Sequence, residues 1–203
     1  MAYYQQHPTV FSRNYLEKLQ SRILASPYLA LNNLNRDFVA TKGFSVVFRR
    51  SHLATVAEQF PVFQRYLEKA LQPDCNAFYL NPLLLKAGSR VDPHIDRSLR
   101  SYCKTIQPPD WVSVLYVSVP DDLEGGELVL RSRQRTVGQI KPQANTLVLF
   151  QGDLTHSVTA VVKGGERLSL VCEQYSLDEK ELDEIPAFKL ESRALNRDGV
   201  LQK

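Results

Sequence analysis

Apolar positions in the first third of the chain recur at helical spacing. Leu16, Leu19 and Ile23 fall at i, i+3 and i+7 within residues 12–24, one face of a helix that must end before Pro27. A strand-like run follows at 44–49. Ser51 is placed to cap a helix carrying Leu53, Val56, Ala57 and Phe60, and Pro61 to open a second helical stretch that ends near Pro73. From Ala77 to Leu177 the period changes to two, which predicts strands over 78–85, 90–96, 111–119, 127–130, 136–140, 146–150, 157–162 and 167–174. AGS, DDLEGG, KPQAN and KGGE turns divide them. Many short strands at close spacing suggest a two-sheet barrel or jelly roll, which hides most sheet edges. The expected class is therefore α+β, mainly β, with N-terminal helices packed on one sheet. We expect a single domain over 1–203, made of a mostly helical support (1–75), a β core (76–177) and a charged tail (178–203). The DEKELDE run at 178–184 reads as a solvated helix and receives no role.

Composition narrows this by exclusion. Of the 203 residues, 43% are apolar and 23% charged, the makeup of a globular domain that buries its core without disulfides. No apolar run approaches the roughly 20 residues that cross a bilayer, so no membrane span is expected. The first residues lack a basic segment followed by an apolar stretch, and the cytoplasm is the expected location. Cys75, Cys103 and Cys172 are odd in number and show no CxxC spacing, against a disulfide scaffold and a thiolate zinc site. A net charge of +3 does not mark a nucleic-acid surface. Arg131, Arg133 and Arg135 would share one face of a strand or hairpin and read as a solvated edge that discourages strand pairing.

Candidate chemistry gathers in the strand-rich part. His94-Ile95-Asp96 is an H-x-D triplet, and in an extended strand i and i+2 point to the same side about 7 Å apart. Alone, such a triplet is usually a surface pair. His156 lies 62 residues later, directly after the buried-looking strand TLVLF and the turn QGDLT, so a barrel could return it to the same inner surface. Two imidazoles and a carboxylate would occupy one face of an octahedral ion and leave three positions open, the arrangement of non-haem Fe(II) oxygenases. Arg167-Leu168-Ser169 follows in a strand. A guanidinium flanked by Leu168, Leu170 and Val171 is costly inside a barrel unless it meets an anion.

The segments PHIDRS, VLYVSV, EGGELVL and TLVLFQGDLTHSVTAVVKGGERLSL resemble the 2-oxoglutarate and Fe(II)-dependent oxygenases, in particular their prolyl 4-hydroxylase-like branch, over roughly 77–177. The resemblance implies a double-stranded β-helix core, iron bound by His94, Asp96 and His156, and the C5 carboxylate of 2-oxoglutarate held by Arg167 with help from Ser169. Many members add a strand tyrosine, for which Tyr116 is the first candidate here and Tyr79 the second. Ascorbate is allowed for as an auxiliary. The implied reaction couples oxidative decarboxylation of 2-oxoglutarate to C–H hydroxylation of a protein residue, prolyl-like, or of a small molecule. Collagen-type prolyl hydroxylases place Lys where this chain has Arg167, so the match is to the broader branch. Asp96 favours hydroxylation over halogenation, since halogenating members replace that carboxylate with a small residue.

Other readings stay open. A non-catalytic cupin-like metal-binding or sensor module would take up metal without turnover, and a zinc hydrolase would also use two histidines and a carboxylate. Tyr116 could be a core aromatic, and Gly125-Gly126 a hairpin turn rather than a phosphate cradle. Arg97, Arg100 and Trp111 are candidates for the mouth of the site. Residues 98–109, with Pro108 and Pro109, would form a mobile lid. His7 and His52 carry no role. The partners expected are a protein, peptide or small-molecule substrate, without nucleic acid or membrane; the oligomeric state is left open between monomer and dimer.

Overall fold

Strict alternation along the long strands sorts side chains between two different interiors. The computed structural model describes residues 2–32, 37–195 and 200–201. Its elements run β1 (Tyr4–Pro8), α1 (Arg13–Leu24), β2 (Ala30–Leu31), β3 (Phe38–Val39), β4 (Lys42–Gly43), β5 (Ser45–Arg49), α2 (Leu53–Gln59) and α3 (Gln64–Ala70). The core continues with β6 (Ala77–Leu85), β7 (Arg90–His94), β8 (Trp111–Ser118), β9 (Glu124–Gly125), β10 (Leu128–Ser132), β11 (Arg135–Ile140) and β12 (Thr146–Gln151). It closes with β13 (Thr155–Val158), β14 (Val161–Lys163), β15 (Arg167–Tyr175), α4 (Glu179–Glu184) and β16 (Phe188–Glu191).

The major sheet has the order β1-β12-β8-β15-β6-β4-β2, with β5 joined to β6 and β16 joined to β5; the minor sheet runs β11-β10-β13-β7-β3. All pairs are antiparallel. This is a jelly roll, mainly β with few helices. Between the sheets lie Leu83, Leu85, Val114, Tyr116, Leu130, Val148, Phe150 and Val158. The opposite face of the major sheet presents Leu80, Leu84, Leu115, Leu168, Leu170 and Cys172 to Leu16, Leu19 and Ile23 of α1, Val56 of α2, and Tyr66 and Leu67 of α3. On β15, even positions thus face the helices while Arg167, Ser169, Val171 and Glu173 face inward, as period two requires. At the edges the sheets meet: a Cβ on Gly138 of β11 would come within 2.7 Å of the Tyr4 ring of β1.

Several boundaries differ from the sequence reading. Within the expected 12–24 helix, Ser12 is the cap of α1, accepting from the Tyr15 amide. Ser51 caps nothing: it lies inside a 3-10 turn, Arg50–His52, that leads into α2. The expected strand at 157–162 is two strands, because the chain leaves the minor sheet after β13 and β14 pairs with β9 instead. Arg131, Arg133 and Arg135 surround the β10–β11 turn, with Arg133 at φ 55°, so they do not form one strand face. The tail segment 178–184 forms α4, capped by Asp178. Strands β1 to β4 and β16 lie outside the expected strands, since their two to five residues show no sustained alternation. No helix among the described residues is long and apolar enough to cross a membrane.

Leu170 is fully buried between the central strand and the helices. Leu170→Ala is expected to cost about 2–5 kcal/mol of unfolding free energy in chemical denaturation, from lost transfer energy and the cavity left behind.

Candidate metal and anion site

β7 and β13 are neighbours in the minor sheet, and their register sets His94 directly opposite His156. The two imidazoles therefore lie side by side, with ring centroids 4.4 Å apart. β7 ends at His94 rather than at residue 96, so Asp96 reaches the pair from the turn that follows and not along the strand. Nε2 of His94 stands 3.1 Å from Oδ1 of Asp96, and Nε2 of His156 stands 3.3 Å from Oδ2. The second contact lacks hydrogen-bond geometry, which leaves Oδ2 buried without a hydrogen-bond partner. One ligand atom from each residue falls within 4.8 Å of the other two. Phe38 and Phe150 flank the rings at 5.4 and 5.1 Å between centroids.

Hydrogen bonding defines the tautomers. Nδ1 of His94 lies 2.8 Å from the Asp92 carbonyl and Nδ1 of His156 lies 3.2 Å from the Leu154 carbonyl. A carbonyl only accepts, so both Nδ1 atoms carry hydrogen and each neutral ring turns its Nε2 lone pair toward the carboxylate. Lone pairs facing a carboxylate repel unless a proton or a cation lies between them. Burial alone would lower the His94 pKa, but the hydrogen bond and charge of Asp96 outweigh it and raise it to about 9. Burial likewise opposes ionisation of Asp96, and the two imidazoles, His156 foremost, overcome it and hold the carboxyl below its usual range. The donor set fits a divalent cation bound on one face, with open positions on the other.

A second group of buried donors lies across the major sheet. Register places Thr146, Tyr116 and Ser169 in one row on β12, β8 and β15. All three hydroxyls are buried and without a hydrogen-bond partner, as is Nε of Arg167. Arg167 is only 2% exposed, and its guanidinium lies 5.2 Å from the centre of the Tyr116 ring. Its Nη1 donates to the Gly126 carbonyl. Gly125, at φ 81°, is required there: a Cβ would come within 2.0 Å of the Ala160 carbonyl oxygen. The glycine pair thus belongs to the β9–β14 contact and to Arg167, and is not a hairpin turn. Unsatisfied donors around a buried cation are what an anion would complete. Thr146 was overlooked in the sequence because nothing marks it apart from a core threonine; only register reveals it.

Not every candidate joins these groups. Tyr79 stands opposite Glu173 on β6, six positions along the ladder from the Leu85–Arg167 pair, and accepts a 2.6 Å hydrogen bond from Ser45. It lines the cavity that carries His94 and Asp96 and is set apart from the Arg167 group. Trp111 packs toward the helices. Arg100 turns back to the Lys104 carbonyl, and only Arg97 of the three mouth candidates lines the cavity. That cavity is about 590 Å³ and includes residues that the sequence left without a role: Asn81, Glu173, and Lys189 to Arg193 of the C-terminal segment. In the 98–109 segment, Ser98, Tyr102 and Thr105 donate to Glu173, Glu191 and Glu181.

Residues 79–172 match the model of the 2OG-Fe(II) oxygenase superfamily. A PKHD-type hydroxylase of Shewanella sp. strain ANA-3 is 38% identical over 81 residues, 39% of this chain and 35% of the relative. A PKHD-type hydroxylase of Shewanella baltica strain OS155 is 27% identical over 163 residues, 77% of this chain and 71% of the relative. The first alignment thus spans about a third of that relative's length. Among solved structures, a Pseudomonas putida prolyl-4-hydroxylase superposes with a TM-score of 0.59 at 18% identity, covering 88% of this chain and 95% of that one. A Trichoplax adhaerens prolyl hydroxylase, in complex with a peptide fragment of the hypoxia inducible factor oxygen degradation domain, gives 0.58 at 14% identity, covering 89% and 86%. At such identities the likeness is one of fold.

The raised His94 pKa has a defined consequence for the metal-free protein. Its contribution to stability is complete below pH 6.5 and is lost as pH rises through about 9. Thermal melting of the metal-free chain should show stability falling across that window. Because metal requires the neutral ring, apparent affinity for a divalent cation should rise over the same range.

Proposed function

We propose that this chain, whose residues 79–172 match the 2OG-Fe(II) oxygenase superfamily and whose relatives place it in the prolyl hydroxylase-like branch, couples decarboxylation of 2-oxoglutarate to hydroxylation of a C–H bond in a protein residue or small molecule. One observation carries this reading: a three-ligand cation site and a buried, incompletely paired guanidinium occur on the facing sheets of one barrel. A hydrolase or a metal sensor needs the first and has no use for the second.

Each residue then has a task. His94, Asp96 and His156 would hold Fe(II) on one face. Arg167 would receive the C5 carboxylate of 2-oxoglutarate, with hydroxyls of Tyr116, Ser169 and Thr146 completing its hydrogen bonds. Iron and 2-oxoglutarate, when bound, supply the oxidising chemistry. The protein supplies fixed donors and a site between the sheets lined by Leu83, Val114 and Val148, where little water competes with the ion pair. The flanking phenyl rings restrict the imidazoles to one orientation. Lys189 to Arg193 and the 98–101 turn form the rim that a substrate meets. A peptidyl substrate is favoured, in keeping with the peptide bound to the Trichoplax adhaerens enzyme. A reducing compartment such as the cytoplasm suits three unpaired cysteines, and residues 1–203 are read as one domain.

Under anaerobic conditions, Fe(II) and 2-oxoglutarate should produce a visible charge-transfer band, and air should then release succinate. His156→Ala should abolish the band. Arg167→Ala should weaken 2-oxoglutarate about a hundredfold, the scale for losing one partner of a buried charge pair, with iron affinity little changed. Metal uptake with neither band nor succinate would instead favour a sensor module.

A further inference from the structure

One buried acid in the cavity belongs to neither ligand group. Glu173 faces inward from β15 and is 4% exposed. Its Oε1 accepts from the Ser98 hydroxyl, and its Oε2 accepts from the Ser98 amide at 3.1 Å and from the Tyr175 hydroxyl. Two of those three donors come from a single residue, two positions after Asp96.

That location matters because β7 ends at His94, so no sheet ladder holds the Asp96 backbone. The chain runs on through Ser98 into a 3-10 turn, Ser98–Ser101, whose Leu99 is fully buried with Tyr175, Cys103 and Ile106. Asp96 is thus suspended between the end of a strand and a turn that Glu173 grips from the opposite sheet. A carboxyl is costly to bury unless it is well paired. A pair used only as glue could sit anywhere in the core, whereas this one holds the exit from a ligand residue.

We propose that Glu173 is a positioning residue for the cation site. By holding both Ser98 donors it fixes the turn after Asp96, and with it the direction from which the Asp96 carboxylate meets the two imidazoles. The proposal rests on the reading of His94, Asp96 and His156 as iron ligands. It makes Ser98 and Glu173 one unit spanning both sheets, and it gives the same contact a second consequence, since Ser98, Ser101 and Glu173 all line the cavity beside the ligands.

Anaerobic Fe(II) titration, with and without 2-oxoglutarate, tests this independently of turnover, alongside thermal melting of each variant. Ser98→Ala and Glu173→Gln should each weaken Fe(II) about tenfold or more, the range seen when support for a ligand is removed. Ser98→Thr, which keeps the hydroxyl, should bind as the unsubstituted protein does. The double variant should be little worse than the weaker single one, because both disturb the same Ser98–Glu173 contact. Variants that melt earlier yet bind Fe(II) normally would overturn the proposal and leave Glu173 as structural glue. Equal losses in Ser98→Thr and Ser98→Ala would overturn it too. If the unsubstituted protein itself gave no Fe(II) binding, the metal-site reading would fall first and take the proposal with it.

Discussion

Two imidazoles whose Nδ1 hydrogens are committed to backbone carbonyls meet a buried carboxylate delivered by the turn after His94. In their neutral state they offer that carboxylate only lone pairs. Such an arrangement repels itself until positive charge enters it, and every other feature of the site is arranged around that need. The carbonyls of Asp92 and Leu154 set the tautomers, the β7–β13 register brings the rings together, and the turn after His94 delivers Asp96. A proton satisfies the trio partly; a divalent cation satisfies all three at once.

β15 orders the remaining parts along one line. Its inward residues run from Arg167 and Ser169 at one end to Glu173 and Tyr175 at the other. Glu173 lies six positions along the strand from Arg167, about 20 Å. The anion-seeking end is closed by Gly126 and by the hydroxyl row, while the other end opens beside the ligands. Because the same strand pairs with β6 and β8 over almost its whole length and buries Leu168, Leu170 and Cys172 against the helices, these distances are set by the best-packed part of the molecule. Function is mounted on rigid backbone at one end and on a stapled turn at the other.

The local chemistry of the site was legible in the chain. H-x-D, the distal His156 and Arg167 with Ser169 were recognisable as donor types in that order, and the strands that bear His94, His156 and Arg167 lie within a few residues of the expected ones, although Asp96 falls on the turn after its strand. β1 to β4 and β16 were not legible, because their two to five residues show no sustained alternation of their own and their stability comes from a neighbour's ladder. β16 is the costly omission, since the segment it begins walls the cavity beside the ligands.

The sequence by itself determined the donor types, their order and, for the strand residues Arg167 and Ser169, the face from which they project, because side-chain chemistry and strand alternation are local properties. Only the tertiary structure decided which donors share a site. Register across β12, β8 and β15 gathered Thr146 with Tyr116 and Ser169 and left Tyr79 beside Glu173, and a turn rather than a strand carried Asp96 to its partners. Those outcomes depend on pairings between residues 30 to 94 positions apart, whose energies arise only when distant segments close on one another.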